Sequence, residues 1–173
     1  MRLPPIVGVV GYKNSGKTTL LERLVAVFVR RGLVVRTIKH AHHAIDLDTE
    51  GKDSWRHRAA GAASVAVVSD GRWAVLHESG GEPPSLEDVV RALGPSDLVL
   101  VEGWKLVRRP KIEVRGPASA APLLAATDPS VIAVAAAEPI PECPVPVFDR
   151  DDVVALADRL AATSLASAGS AGG

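Results

Sequence analysis

Eight consecutive residues near the start of the chain, Gly11-Tyr12-Lys13-Asn14-Ser15-Gly16-Lys17-Thr18, fit the spacing G-x-x-x-x-G-K-[ST] without a mismatch. The chemistry this spacing serves is the holding of a nucleoside triphosphate. Glycines at 11 and 16 let the backbone turn tightly and approach a phosphate with no Cβ in the way. The N–H groups from Lys13 to Gly16 can then converge as an anion nest. A helix opening at Thr18-Thr19 adds its positive end. Lys17 is placed to reach the β- and γ-phosphates. The Thr18 hydroxyl is placed to ligate Mg²⁺, which bridges phosphate oxygens while keeping several waters.

Such a site needs a carboxylate opposite the loop, to hold the metal or polarise a water. Asp97 and Glu102 flank the apolar run Leu98-Val99-Leu100-Val101. Ligands of parallel sheets sit outside the carboxyl ends of the strands, so Glu102 is the candidate, and Asp97 falls at the far end. Lys17 and Glu102 form the candidate catalytic pair. A second polar cluster, Lys39-His40-Ala41-His42-His43 followed by Asp46, Asp48 and Asp53, also starts at a strand's carboxyl end. It fits a loop that orders on the γ-phosphate and Mg²⁺, a transition-metal site, or a solvated surface loop. In the first of these, which the spacing favours, Lys39 and His40 face phosphate and Asp46 and Asp48 reach toward the metal or its waters.

The elements that must position these groups are legible from apolar periodicity. Ile6–Val10 reads as a buried strand, and Leu20, Leu21, Leu24 and Phe28 as one face of a helix that Gly32 stops. Leu33–Lys39 is a second strand, so the opening is a βαβ unit with parallel strands. A short helix from Asp53 or Ser54 to Ala60 precedes strands 64–68 and 72–77 joined at Asp70-Gly71, a hairpin signal. Ser85 to Gly94 is a helix, 98–101 a strand buried on both faces, and the alternating run Lys111–Arg115 an edge or hairpin strand. Val131–Ala135 and Val147-Phe148 are strands, and Val153 to Leu160 the last helix. The expected fold is α/β, a P-loop NTPase fold with a mostly parallel sheet flanked by helices and an added β-hairpin. One nucleotide-binding domain is expected over 1–160, with a flexible tail over 161–173. The hairpin has no helix to cover both faces, and its exposed edges point to pairing with a second copy, a homodimer.

Composition sets limits. Acids and bases balance at 20 each, which gives no general attraction to nucleic acid or to an anionic membrane. The single cysteine, Cys143, allows no internal disulfide framework, and a reducing cytoplasmic compartment is expected. The apolar run Ile6–Val10 is too short for a signal segment or a membrane span.

The P-loop, the run Thr37 to His43, Asp46-Leu47-Asp48, Gly51-Lys52-Asp53-Ser54, Ala60-Gly61-Ala62 and Asp97 to Lys105 resemble, in this order, the MobB family of molybdopterin-guanine dinucleotide biosynthesis adapter proteins. The resemblance spans about Ile6 to the final helix. It implies GTP and Mg²⁺ as ligands, weak hydrolysis and a homodimer. It also implies assistance to the guanylyltransferase that attaches GMP to molybdopterin, and it leaves molybdopterin open as a direct partner. Just after Val131–Ala135 the family pattern leads us to expect an Asp, but this chain has Ala136-Ala137-Glu138, so that either Glu138 accepts from the guanine N1–H and exocyclic amine or no residue does. Asn14 is the only asparagine, so no Asn-Lys-x-Asp guanine motif exists, and Glu50 stands where Pro is often found. Two alternatives use the same residues: a P-loop small-molecule kinase or ATP-dependent synthetase with Arg108, Arg109 and Lys111 as a basic lid, and a GTP-dependent metallochaperone using His40, His42 and His43.

Overall fold

The computed structural model describes residues 2–41, 47–117 and 119–165. In chain order the elements are β1 (Ile6–Val10), α1 (Lys17–Arg30), β2 (Val35–Lys39), α2 (Asp53–Ala59), β3 (Ser64–Ser69), β4 (Arg72–His77), α3 (Leu86–Ala92), β5 (Leu98–Glu102), β6 (Lys111–Val114), β7 (Val131–Ala136), β8 (Val147–Asp149) and α4 (Val153–Leu160). The chain divides into two compact units, Met1–His40 with Leu93–Gly173, and Ala41–Ala92.

The first unit is built on a six-stranded sheet in the order β2-β5-β1-β6-β7-β8, with every neighbouring pair parallel. Alternate residues of the central strands, Val7 and Val9, Leu98 and Leu100, Ile112 and Val114, turn one face toward Leu24 and Phe28 of α1 and Leu156 and Leu160 of α4. All five residues of β1 and of β5 are buried, as parallel strands covered on both sides require. This is the mostly parallel, helix-flanked architecture expected, and it brings the carboxyl ends of β1, β2, β5, β6 and β7 to one edge of the sheet.

The run Lys111–Arg115 departs from expectation. It is no edge or hairpin strand: β6 lies inside the sheet between β1 and β7, and all four of its residues are buried. Alternating charge normally marks a solvated face, but here both inward charges are met. Lys111, 2% exposed, donates to Asp128 Oδ2 at 2.6 Å and to the Lys105 carbonyl at 2.5 Å. Glu113, 0% exposed, accepts from Arg115 Nη1 at 3.2 Å and from the Ala125 N–H at 2.9 Å. Gly8, opposite Lys111 in the register, makes room for the lysine stem, because a Cβ there would lie 2.9 Å from Lys111 Cγ.

The Lys111–Asp128 pair has a pH signature. Burial pushes the Asp128 carboxyl up, but hydrogen bonds from Lys111 and Ser130 outweigh it and hold the group below its ordinary 3.8. A carboxylate depressed in the folded state contributes stability that is present above its unfolded pKa and lost as the pH falls through the folded one. Asp128→Asn is therefore expected to cost about 1–3 kcal/mol at pH 7, since it leaves a buried lysine without its carboxylate. The variant should also lose stability less steeply than the parent below pH ~4. Urea unfolding at pH 7 and at pH 3 checks both, and parallel pH profiles would show that the pair carries no linkage.

The second unit holds α2, the antiparallel hairpin β3–β4 and α3. The hairpin closes at Ser69↔Arg72 around Asp70-Gly71, as expected, and forms a two-stranded sheet of its own. One face carries Val68, Trp73 and Val75, exposed to 75%, 70% and 37%. At the chain end, Ala161–Leu165 was expected to be part of the tail but winds on from α4 as a π-helical turn, with Thr163 Oγ1 donating back to the Arg159 carbonyl at 2.8 Å. The rest of the expected tail, 166–173, lies outside the described residues.

Candidate functional site

The loop from Gly11 to Gly16 links the buried end of β1 to the start of α1. Its path depends on unusual backbone angles. Asn14 and Gly16 have φ of 60° and 95°, and a Cβ on Gly11 would meet the Val114 carbonyl at 2.4 Å. Gly16 caps α1 with no side-chain hydrogen bond, and the first turn carries no acid. The first-turn N–H groups of a helix need partners; here they face an edge where an anion fits. The Ser15 hydroxyl is buried and has no hydrogen-bond partner among the described residues, so it too is available as a donor. Lys17 folds back over the loop and donates to the Tyr12 carbonyl at 2.6 Å.

Glu102 ends β5, the strand directly beside β1, and the register places it opposite Val9. Its Oε1 accepts from the Thr18 hydroxyl at 3.0 Å and lies 3.7 Å from Lys39 Nζ, with the side chain only 11% exposed. The ends of β2 and β5 and the first turn of α1 thus bring Lys39, Glu102 and Thr18 together. Gly103 makes the approach possible. It has φ of 93°, its N–H donates to the Val9 carbonyl at 3.0 Å, and a Cβ there would stand 3.1 Å from the His40 carbonyl. His40 donates its own N–H to the Glu102 carbonyl at 2.9 Å and stacks its ring on Trp104, with centroids 4.6 Å apart.

The electrostatics are those of an anion site. Burial pushes the Lys17 ammonium below its ordinary 10.5. Glu102 opposes that shift, and the positive charges of Lys105 and Lys39 add to it. Three ammonium groups against one carboxylate leave net positive charge at the loop, and phosphate would relieve the strain on Lys17. Lys105, which is not among the sequence candidates, closes the Glu102-Gly103-Trp104-Lys105 run, and its Nζ lies 4.7 Å from the centre of the Tyr12 ring.

The remaining candidates divide. Glu138, just beyond β7, lines a cavity of about 220 Å³ with Arg115, Gly116 and Pro139, and Gly116 adjoins Ser15 of the loop. Asp48 belongs to the second unit, where its carboxylate accepts from Ser54 Oγ at 2.8 Å and from the Thr49 N–H at 3.0 Å and pairs with Arg58. Asp46, His42 and His43 lie outside the described residues. Among the described residues no three His, Cys, Asp or Glu gather to hold a metal. Lys111 cannot belong to a basic lid, because it is buried and tied to Asp128. Among the described residues no helix is long and apolar enough to cross a membrane.

A family model described as "MobB: Molybdopterin guanine dinucleotide synthesis protein B" matches residues 6–137. The chain belongs to the MobB family. It is similar to the molybdopterin-guanine dinucleotide biosynthesis adapter protein of Haemophilus influenzae, 42% identical over 79% of this chain and 76% of that one. Its likeness to the Escherichia coli K12 protein of the same name is 39% identity over 89% and 90% of the two chains. The crystal structure of Bacillus subtilis MobB superposes with a TM-score of 0.71 at 30% identity, covering 92% of this chain and 98% of that one. The match to the family model spans the P-loop, Glu102 and the end of β7, and so includes the sequence candidates from Gly11 to Ala137; Glu138 falls just beyond it.

Proposed function

We propose that this MobB-family chain is a GTP-binding adapter of molybdopterin guanine dinucleotide biosynthesis, a cytoplasmic protein that assists the guanylyltransferase and hydrolyses GTP slowly. The observation that carries nucleotide binding is the start of α1 at the end of the Gly11–Gly16 loop, which has no side-chain cap, with the Thr18 hydroxyl 3.0 Å from Glu102 Oε1 beside it. What supports the pathway is the shared name of the relatives in Haemophilus influenzae and Escherichia coli.

In this proposal Gly11, Lys13, Asn14, Ser15, Gly16, Lys17, Thr18 and Thr19 bind the phosphates through backbone N–H groups, hydroxyls and the Lys17 ammonium. Lys39 and His40 border the γ-phosphate side, and Glu138 reads the guanine edge from the adjoining cavity. The Thr18 hydroxyl and Glu102 carboxylate suit a hard cation that takes oxygen ligands, so they are the residues that would hold Mg²⁺. Bound there, Mg²⁺ would neutralise charge on the β- and γ-oxygens. Lys17 supplies fixed positive charge, and Glu102 holds the Thr18 hydroxyl in place. Slow turnover fits the composition, since the chain has no glutamine to orient an attacking water. Calorimetric titration with GTP and with ATP, each with Mg²⁺, tests the base preference, and tighter binding of ATP would overturn it. Retention of the guanylyltransferase on the immobilised chain with GTP present tests the adapter role.

We further propose a homodimer formed through the β3–β4 hairpin. Its support is the exposed face of Val68, Trp73 and Val75 on a two-stranded sheet with open edges. Trp73→Asp is expected to convert a dimer into a monomer in light scattering at micromolar concentration. A parent chain that is already monomeric would end this reading.

A further inference from the structure

The end of β8 and the loop after it carry four charged residues in succession, Asp149-Arg150-Asp151-Asp152. Each of the three acids is engaged elsewhere. Asp149 Oδ1 accepts from the Asp151 N–H at 2.8 Å, Asp151 is held by Arg23 Nη1 at 2.6 Å, and Asp152 caps α4 through the Ala155 N–H at 3.0 Å. Arg150 is half-buried, yet no acceptor takes its guanidinium among the described residues. Its side chain instead lies against the P-loop: a Cβ built on Gly16 would stand 2.7 Å from Arg150 Nη2. The guanidinium therefore fills the space beside Gly16 that a side chain at that position would enter.

Arg150 is also fixed in place. Its N–H donates to the Ala136 carbonyl at 2.9 Å, at the end of β7. Its carbonyl and that of Asp151 accept from Arg23, which sits two turns into α1, the helix the P-loop launches. The clamp ties the arginine's backbone to the same helix whose start would hold the phosphates. An arginine whose guanidinium meets no carboxylate among the described residues, and whose backbone is anchored beside an anion nest, is suited to a charge-assisted pair with phosphate.

We propose that Arg150 binds the α/β-phosphate portion of the nucleotide, approaching from the side of the loop away from Glu102. The assignment of the α- and β-phosphates follows from its place beside Gly16, because the loop N–H groups around the helix start cradle those phosphates, and the γ-phosphate lies toward Lys17 and the metal. This rests on the nucleotide-binding function proposed above.

The test measures Kd for Mg-GTP and Mg-GDP by calorimetry for the parent chain, Arg150→Ala and Arg150→Lys. The alanine variant is expected to weaken GTP and GDP by the same factor, about 10-fold or more. The lysine variant should recover part of the loss, and nucleotide-free melting should be unchanged, because the guanidinium makes no hydrogen bond among the described residues. Unchanged affinity in Arg150→Ala would overturn the assignment, and so would a loss confined to GTP. A parent chain that binds neither nucleotide would instead overturn the nucleotide-binding function itself, and the Arg150 assignment with it.

Discussion

Lys17→Ala is expected to lower affinity for Mg-GTP by about 100-fold while leaving the free protein as stable as the parent, or slightly more so. The two effects separate because of how the ammonium is held. Burial and the neighbouring charges of Lys39 and Lys105 disfavour its charged form in the free protein, and Glu102 offsets only part of this. Removing the side chain relieves that tension and leaves the Tyr12 carbonyl, its one hydrogen-bond acceptor, to water. With phosphate bound, the same ammonium would make charge-assisted hydrogen bonds worth about 1.5–3 kcal/mol each. Calorimetry and thermal melting on one preparation decide the matter. Parent-like affinity would exclude Lys17 from the site, and a collapse in melting temperature would give it a structural role instead. The lowered pKa adds a check. Affinity should start to fall on the alkaline side below pH 10.5, the ordinary lysine value, as Lys17 loses its proton.

Glu102→Gln is expected to act in opposite directions with and without Mg²⁺. The amide keeps the shape of the side chain and can still accept from the Thr18 hydroxyl, so the strand end should hold. It removes the one carboxylate paired with Lys39, leaving the positive charge around Lys17 unopposed. Metal-free GTP should therefore bind more tightly than to the parent. The gain in affinity on adding Mg²⁺ should largely disappear, and the slow hydrolysis should fall by about 100-fold, the usual scale for losing one preorganised electrostatic contact. Binding of GTP measured in Mg²⁺ and in a chelator, with phosphate release followed in parallel, checks all three. If Mg²⁺ strengthened binding to the variant as much as to the parent, Glu102 would have no part in holding the metal.

Both predictions concern residues that could be picked from the chain by spacing. Glycine at 11 and 16, lysine at 17 and a hydroxyl at 18 declare an anion loop because each makes its contribution locally, through φ, a missing Cβ or a helix start a few residues away. Glu102 needed one more step, the rule that ligands gather at strand carboxyl ends, and the Thr18–Glu102 contact across 84 positions fits it. The hairpin at Asp70-Gly71 was legible for the same local reason.

Where partners come from far along the chain, local pattern fails. Lys111 and Glu113 alternate like a solvated edge, yet Asp128, Arg115 and the Ala125 N–H neutralise them inside the sheet. Periodicity reports which side chains dislike water; it does not report which charges will find a counter-charge. Arg150 was invisible for a related reason, since three acids around it in the sequence imply a neutralised arginine, and only the folded chain draws them away to Arg23, Ala155 and the neighbouring backbone.

By itself, then, the amino-acid order determined the βαβ opening, the phosphate loop, the acid at the end of β5 and the family. The first three rest on backbone propensity, glycine geometry and short-range spacing, and the family on the resemblance of whole motifs in their order along the chain. Only the tertiary structure decided that β6 is central, that Lys105 stands over Tyr12, and that Arg150 lies against Gly16. Each depends on a pairing between residues distant in the chain, and the energy of a buried charge is settled by its neighbours in space.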